Sequence, residues 1–232
     1  VYKSTDGGAS WSASGLLGSG VLAIDPADSS TVFAGTFGGV GKSTVGGASW
    51  STVNNGLPEN PNISALAIDP TNSNTLYAGT YSGVYKSTNG GASWSASNNG
   101  LSAGSTSALA IDPANANTIY TSSGGVFKST DGGASWSASN NGLNAGSISA
   151  LAIDPTNSNK VYAATGGVYK STDGGANWGA SNNGLNATRV SAVAVDPTNS
   201  DTVYAGITNG GVYKSINFGA SWSASGLPGA NI

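Results

Sequence analysis

Short apolar alternations of four to six residues run the length of this chain, each bounded by Gly, Pro or Asn. Runs of this kind, rich in Val, Ile, Tyr and Thr, predict strands, and no stretch carries a helical period. The runs recur in a fixed order of four. The first ends in Asp-Pro, as in Ala65-Leu66-Ala67-Ile68-Asp69-Pro70, with counterparts ending at Asp25, Asp112, Asp154 and Asp196. Proline cannot donate to a ladder, so Asp-Pro stops that strand and the following Thr-Asn-Ser-Asn turns the chain. The second run is Thr75 to Gly79, or Thr202 to Gly206, and the third is Gly83 to Ser87. The fourth is Trp94 to Ser97, followed by Asn98-Asn99-Gly100-Leu101. We label these strands A, B, C and D.

The turn between C and D is the most regular part of the chain. The eight residues Ser129-Thr130-Asp131-Gly132-Gly133-Ala134-Ser135-Trp136 recur at Ser4–Trp11, Ser43–Trp50, Ser87–Trp94, Ser171–Trp178 and Ser215–Trp222. Trp11, Trp50, Trp94, Trp136, Trp178 and Trp222 are therefore 39 to 44 residues apart. Four short antiparallel strands per period of about 42 residues is the signature of a β-propeller blade. The alternation of Ala65 and Ala67 with Leu66 and Ile68 suits an inner strand packed on both faces. Five A–B pairs but six C–D hairpins are present, so the expected fold is all-β. It has five complete blades plus an extra N-terminal C–D hairpin, in a five- or six-bladed ring. The expected boundaries are 1–17 for the orphan hairpin, then repeats at about 18–60, 61–103, 104–145, 146–187 and 188–232. The orphan hairpin is either redundant, part of a longer array, or exchanged with another molecule in self-association. The chain starts mid-repeat without Met or a signal peptide, which reads as a processed chain or a piece of a longer protein.

The pattern Ser-x-Asp-x-Gly-x-x-Trp resembles the Asp-box (BNR) repeat of sialidase-type propellers. The stretch from Ala67 to Thr80, with Gly83 onward, resembles repeats of xyloglucanase-like glycoside hydrolases and of photosystem assembly-factor propellers. The resemblance covers nearly the whole chain, and it implies that the box sits on the C–D turn. The residues agree. Asp6, Asp131 and Asp173, with Ser129 and its equivalents, can accept bonds from turn amides, and Gly132 and Gly133 allow positive φ. Trp136 is expected to begin strand D and cover the turn. Asn89 and Asn217 replace the acid and can still accept; Val45 cannot, so its turn is expected to be the loosest, or held by packing alone.

Chemistry is scarce. The 232 residues contain no His, Cys or Met, and only 8% are charged, where about 25% is usual. This removes the imidazole and thiolate routes to catalysis and to metal binding, so no cofactor, no metal and no enzyme activity are expected. All ten Asp fall at the A–B and C–D turns, which share one end of a blade, leaving Glu59 as the one carboxylate on the other end; a glycosidase pair needs two. One arginine, Arg189, cannot form the arginine cluster that the sialidase resemblance implies. The net charge of −3, with lysines scattered singly, offers no footprint for nucleic acid, and no run reaches the ~20 apolar residues of a membrane helix. The Ser-, Thr-, Asn- and Gly-rich surface suggests an extracellular or periplasmic setting. Function is sought where the repeat is broken, at Phe37, Tyr81, Glu59 and Arg189 on the B–C and D–A loops. An aromatic beside Asn and Ser suits a sugar face or a protein partner. The expected role is a non-catalytic binding or scaffold propeller. The alternatives are the propeller of a larger glycoside hydrolase or a regular repeat protein with a purely structural role. Lys3, Lys42, Lys86, Lys128, Lys170 and Lys214 on strand C read as solvated edge charges, or as partners of the strand-A Asp. Asn62-Ile63-Ser64 and Asn186-Ala187-Thr188 are glycosylation sequons.

Overall fold

In a computed structural model the structure describes residues 1–16, 18–102, 104–144, 146–186 and 189–226. All regular structure among them is β. A hairpin of β1 (Tyr2–Lys3) and β2 (Ser12–Ala13) comes first. Five four-stranded antiparallel sheets follow, each in the sequential order A-B-C-D. The first blade holds β3 (Ser19–Ile24), β4 (Val32–Thr36), β5 (Gly39–Ser43) and β6 (Ser51–Thr52). The second holds β7 (Ala65–Ile68), β8 (Leu76–Thr80), β9 (Gly83–Ser87) and β10 (Ser95–Ala96). The third has β11 (Leu109–Ile111), β12 (Ile119–Ser122), β13 (Val126–Ser129) and β14 (Ser137–Ala138). The fourth has β15 (Ala150–Asp154), β16 (Asn157–Ala164), β17 (Val168–Ser171) and β18 (Gly179–Ala180). The fifth has β19 (Val190–Val195), β20 (Val203–Ile207), β21 (Gly211–Ser215) and β22 (Ser223–Ala224). Five complete blades and an extra hairpin are therefore what the chain forms. It divides into two compact units, one carrying β1 to β10 and the other β11 to β22, with residues 99–102 belonging to the second.

Each turn has a local cause. The strand-A Asp folds its own chain back: Asp25 accepts from the Ala27 amide, Asp69 from Thr71, Asp112 from Ala114, Asp154 from Thr156 and Asp196 from Thr198. These are Asx turns, and the proline between acid and donor lacks an amide to compete. Strand D is shorter than expected. It spans two residues, all exposed, and the tryptophan stands just before it rather than beginning it.

The cores lie between blades, not within them. In the first unit, Phe33 and Val40 of the first blade pack with Leu76, Ala78 and Trp94 of the second. In the second unit, Tyr120 and Val126 pack with Val161 and Trp178, and Tyr162 and Val168 pack with Val203 and Trp222. In the fourth blade, strand B is buried over Val161–Ala164 because it packs on the third blade on one face and on the fifth on the other.

Candidate functional site

The two ends of a blade are built by different residues. At one end the box turn sits on the A–B turn. The amide of Gly90 donates to the Asn74 carbonyl, Gly132 to Asn117, and Gly174 to Asn159. Inside the box, Ser129 Oγ accepts from the amides of Asp131 and Gly133, and Asp131 Oδ1 accepts from the Ser135 amide at 2.9 Å. Bonds from the Ser135 hydroxyl and amide, with that of Ser129, hold the Asp131 carboxyl down to about 2; Asp6 and Asp173 are lowered to about 2 by equivalent bonds. Asn89 keeps the acceptor role toward Ser93 N, and its amide donates to the Ser93 hydroxyl, so that hydroxyl reverses from donor to acceptor. Asn217 does the same with Ser221. The Val45 turn loses this half of the network but is not held by packing alone. Ser43 Oγ still accepts from the Val45 and Gly47 amides, and Gly46 N donates to Ser30 O at 2.7 Å.

The tryptophan covers its own turn as expected, its ring lying against the second box glycine at Gly8, Gly47, Gly91, Gly175 and Gly219, and it also reaches beyond it. Its indole N–H crosses to the chain just after strand D of the preceding hairpin: Trp50 to Ser14 O, Trp94 to Val53 O, Trp178 to Ser139 O and Trp222 to Ser181 O. The backbone amides of Trp94, Trp136, Trp178 and Trp222 donate to Asn55, Asn99, Asn141 and Asn183. The Asn-Asn-Gly segment that follows strand D is the other half of this joint. Its first Asn (Asn54, Asn98, Asn140, Asn182) accepts from a strand-C amide of its own blade. Its second supplies the carbonyl, and a Cβ on the glycine (Gly142, for example) would run into the tryptophan carbonyl oxygen. Repetition of Asn-Asn-Gly beside every inner D strand was the available signal.

Three of the strand-C lysines also belong to the joint, whereas Lys3 is exposed and Lys214 acts electrostatically on the strand-A Asp196. Lys42 Nζ donates to Gly90 O, Lys128 to Gly174 O and Lys170 to Phe218 O, each in the next blade's box turn, at 2.8–2.9 Å. Lys42 and Lys128 also lie over the strand-B aromatics Phe33 and Tyr120, 5.2 and 5.4 Å from the ring centroids. One departure went unnoticed in the sequence. Phe218 replaces a box glycine at φ 55, a left-handed conformation that disfavours a bulky residue, and Lys160 caps its ring at 3.5 Å while lying 3.6 Å from Asp154.

The opposite end carries the candidates. Thr36 and Thr80 close the B–C turns by donating to Gly39 and Gly83 carbonyls, which throws the first loop residue outward. That residue is Phe37, 73% exposed, in the first blade and Tyr81, 50% exposed, in the second. The D–A segment between these blades is sewn to them: Asn62 N donates to Phe37 O, Ile63 N to Thr36 O and Ser64 N to Gly79 O. Asn60 and Asn62 take positive φ there, and the Tyr81 hydroxyl donates to the Glu59 carbonyl. Phe37, Tyr81 and Glu59 are thus brought around one loop. Beside it opens a hollow of about 480 Å³ lined by Gly18, Gly20, Thr36, Phe37, Asn62, Ile63 and Ser64. Arg189 belongs to the second unit, where it is exposed and its carbonyl accepts from Thr208 N. Among the described residues no three acids, His or Cys gather as a metal site. The sequon at Asn62 is exposed; that at Asn186 has its last two residues outside the described residues.

Comparison with known proteins decides the family. A family model described as photosynthesis system II assembly factor YCF48 matches residues 19–156, more than half of the chain. The chain belongs to this family. Among solved structures, an ancestral GH74 enzyme superposes with a TM-score of 0.75 and 28% identity over 92% of this chain and 32% of that one. YCF48 from Cyanidioschyzon merolae shares the fold at a TM-score of 0.54 and 16% identity, covering 97% of this chain and 91% of its own. A YCF48 structure bound to D1 peptide gives a TM-score of 0.59 and 19% identity over 84% of this chain and 64% of that one. The chain spans about a third of the GH74 enzyme it matches. No curated protein matches it. The YCF48-family repeat and the Asp-box resemblance thus coincide on one β-propeller.

Proposed function

We propose that this YCF48-family chain is a non-catalytic binding propeller that captures an extended segment of a protein partner on its B–C and D–A loops. The carrying observation is the convergence of Phe37, Tyr81 and the Glu59 loop beside a hollow of about 480 Å³. An exposed aromatic on the wall of a concavity is the usual anchor for a partner side chain, and the exposed side chain of Asn62, which lines the hollow, can bond peptide groups. The assembly-factor description of the family supports a protein partner, as does the D1 peptide in a related YCF48 structure. The loops at this end carry one carboxylate, Glu59, which argues against acid–base cleavage of a bound ligand. The test is a peptide-display selection on the protein, followed by titration of the selected peptide. Phe37→Ala and Tyr81→Ala are each expected to weaken it tenfold or more, with the unfolding midpoint unchanged. Peptides indifferent to both variants, or a glycan array bound instead, would defeat this reading.

A second reading rests on the 28% identity to the GH74 enzyme: the chain as one part of a larger glycoside hydrolase. Its catalytic acids would lie outside these blades. Xyloglucan turnover by the longer protein, abolished by changing acids outside these 232 residues, would favour it.

A further inference from the structure

The blade–blade joint is repeated inside the second unit, and its two copies leave hollows of different size beside strand D. The hollow between the third and fourth blades measures about 290 Å³, and that between the fourth and fifth about 430 Å³. Two departures from the repeat go with the difference. Ser137 lines the first hollow, whereas its equivalent in the second is Gly179, where a Cβ would meet nothing within 4 Å. Across the first joint, the side-chain amide of Asn141 donates to Asn177 Oδ1. Across the second, the place of Asn177 is taken by Ser221, whose hydroxyl accepts from Asn217 at 2.9 Å. Asn183, the counterpart of Asn141, therefore lines the second hollow exposed, its side-chain amide without a partner among the described residues. The opened space extends over Asp173 and Asn177 of the fourth blade's own box.

We propose that this larger hollow is a binding site for a neutral sugar of one or two rings. Its groups are those that hydroxyls need. The Asn183 amide presents donor and acceptor side by side, and the Asp173 carboxylate is an acceptor only. Bonds from Asn177 and Ser171 hold Asp173 down to about 2, so it stays ionised. Those three bonds fill three of the roughly four acceptor positions of a carboxylate, leaving one free. Lys170 adds one ammonium, already bonded to Phe218 O, so the lining carries no net charge to attract an ion. Gly179, Ala180 and Ala220 supply small apolar surface for the C–H face of a ring. An extended peptide is the other occupant a sheet edge suggests, and this edge is too short for one. Ser181 N donates to Val168 O and Ala180 pairs with Tyr169, so in β18 it is Ala180 alone whose N–H and C=O face away from strand C. A ring of hydroxyls needs no ladder.

The site is tested by NMR titration of the intact protein with maltose, cellobiose, lactose and trehalose in turn, each to about 50 mM, enough to reveal millimolar affinity. At least one is expected to shift the Asn183 side-chain amide and the Gly179 backbone amide saturably. Asn183→Ala removes the free amide, Gly179→Ser restores the side chain that Ser137 carries, and Ser221→Asn rebuilds the latch that Asn177 forms with Asn141. Each is expected to weaken binding tenfold or more. The last two copy what a neighbouring blade already holds, so their unfolding midpoints are expected to stay unchanged. No shift at these groups with any of the four sugars, or binding indifferent to Gly179→Ser and Ser221→Asn, overturns the proposal. A peptide that shifts them while the sugars do not overturns it as well. Phe37→Ala leaves every residue of this hollow in place, and Asn183→Ala every residue of the Phe37 loop, so sugar binding and peptide capture fail independently.

Discussion

Trp178 and Trp11 close the same eight-residue motif, and their surroundings could hardly differ more. Both turns are tied by the same Ser and Asp bonds, with Ser10 in one and Asn177 in the other closing the acid. Ser4 Oγ bonds Asp6 at 2.8 Å and accepts from Gly8 N, and Ser171 Oγ bonds Asp173 at 2.8 Å and accepts from Gly175 N. Trp11 is nonetheless 64% exposed, while Trp178 is 5% exposed with its indole and its amide both bonded to the fourth blade's predecessor. The turn is therefore a local object that forms wherever its sequence occurs. The tryptophan covers its own turn in both, but its burial and its bonds to the neighbouring chain exist only where a preceding blade offers carbonyls and apolar surface.

The pair is broken most strongly by truncating each indole. Trp178→Ala should cost about 3–5 kcal/mol in urea unfolding, as a buried aromatic does, and Trp11→Ala about 0.5 kcal/mol or less. Equal losses would return the tryptophan to its own turn. Glycines of like φ sharpen the contrast next. Gly142→Ala puts a Cβ into the Trp178 carbonyl at φ 78 and should cost more than about 2 kcal/mol, whereas Gly15→Ala, at φ 79 with open space around it, should cost about 1 kcal/mol from backbone strain alone.

The smallest effect is in pH. The Asp6, Asp131 and Asp173 carboxyls are lowered from 3.8 to about 2 on folding, chiefly by hydrogen bonds from Ser10, Ser135 and Asn177 respectively. A depressed folded value gives stability that is full above the unfolded value and is lost as pH falls toward the folded one. Unfolding midpoints should thus decline between about pH 4 and pH 2. Asp131→Asn with Asp173→Asn should flatten that decline while leaving neutral stability nearly unchanged, since Asn89 and Asn217 already make the same turn. A decline unaltered by the two substitutions would place the acid sensitivity elsewhere.

What could be read from the sequence is what is local. Asp-Pro stops, the box and the strand periods each act within a few residues, so strand order and blade count followed from the pattern. The partners of Lys42 and Lys170 lie 48 residues away, one repeat plus an offset, and no local pattern names a backbone carbonyl as a target. Phe218 looked like an ordinary substitution because its strain and its Lys160 cap exist only in three dimensions. The candidate site was legible as departures from the repeat, which picked out Phe37, Tyr81 and Glu59. Their convergence was not, because it depends on how residues 57–64 fold back against two B–C turns. Arg189, chosen by the same rule, belongs to the other compact unit, because rarity marks a position without placing it.

The most direct trial of the tryptophan as a bolt to the preceding blade is hydrogen exchange at the indole N–H groups, resolved residue by residue by NMR. Trp94, Trp178 and Trp222 should be strongly protected, Trp50 less so because it is anchored on an exposed hairpin, and Trp11 should exchange at nearly the free rate. Protection of Trp11 equal to that of Trp178 would contradict the account, since it would mean that the motif shields its tryptophan without a neighbouring blade.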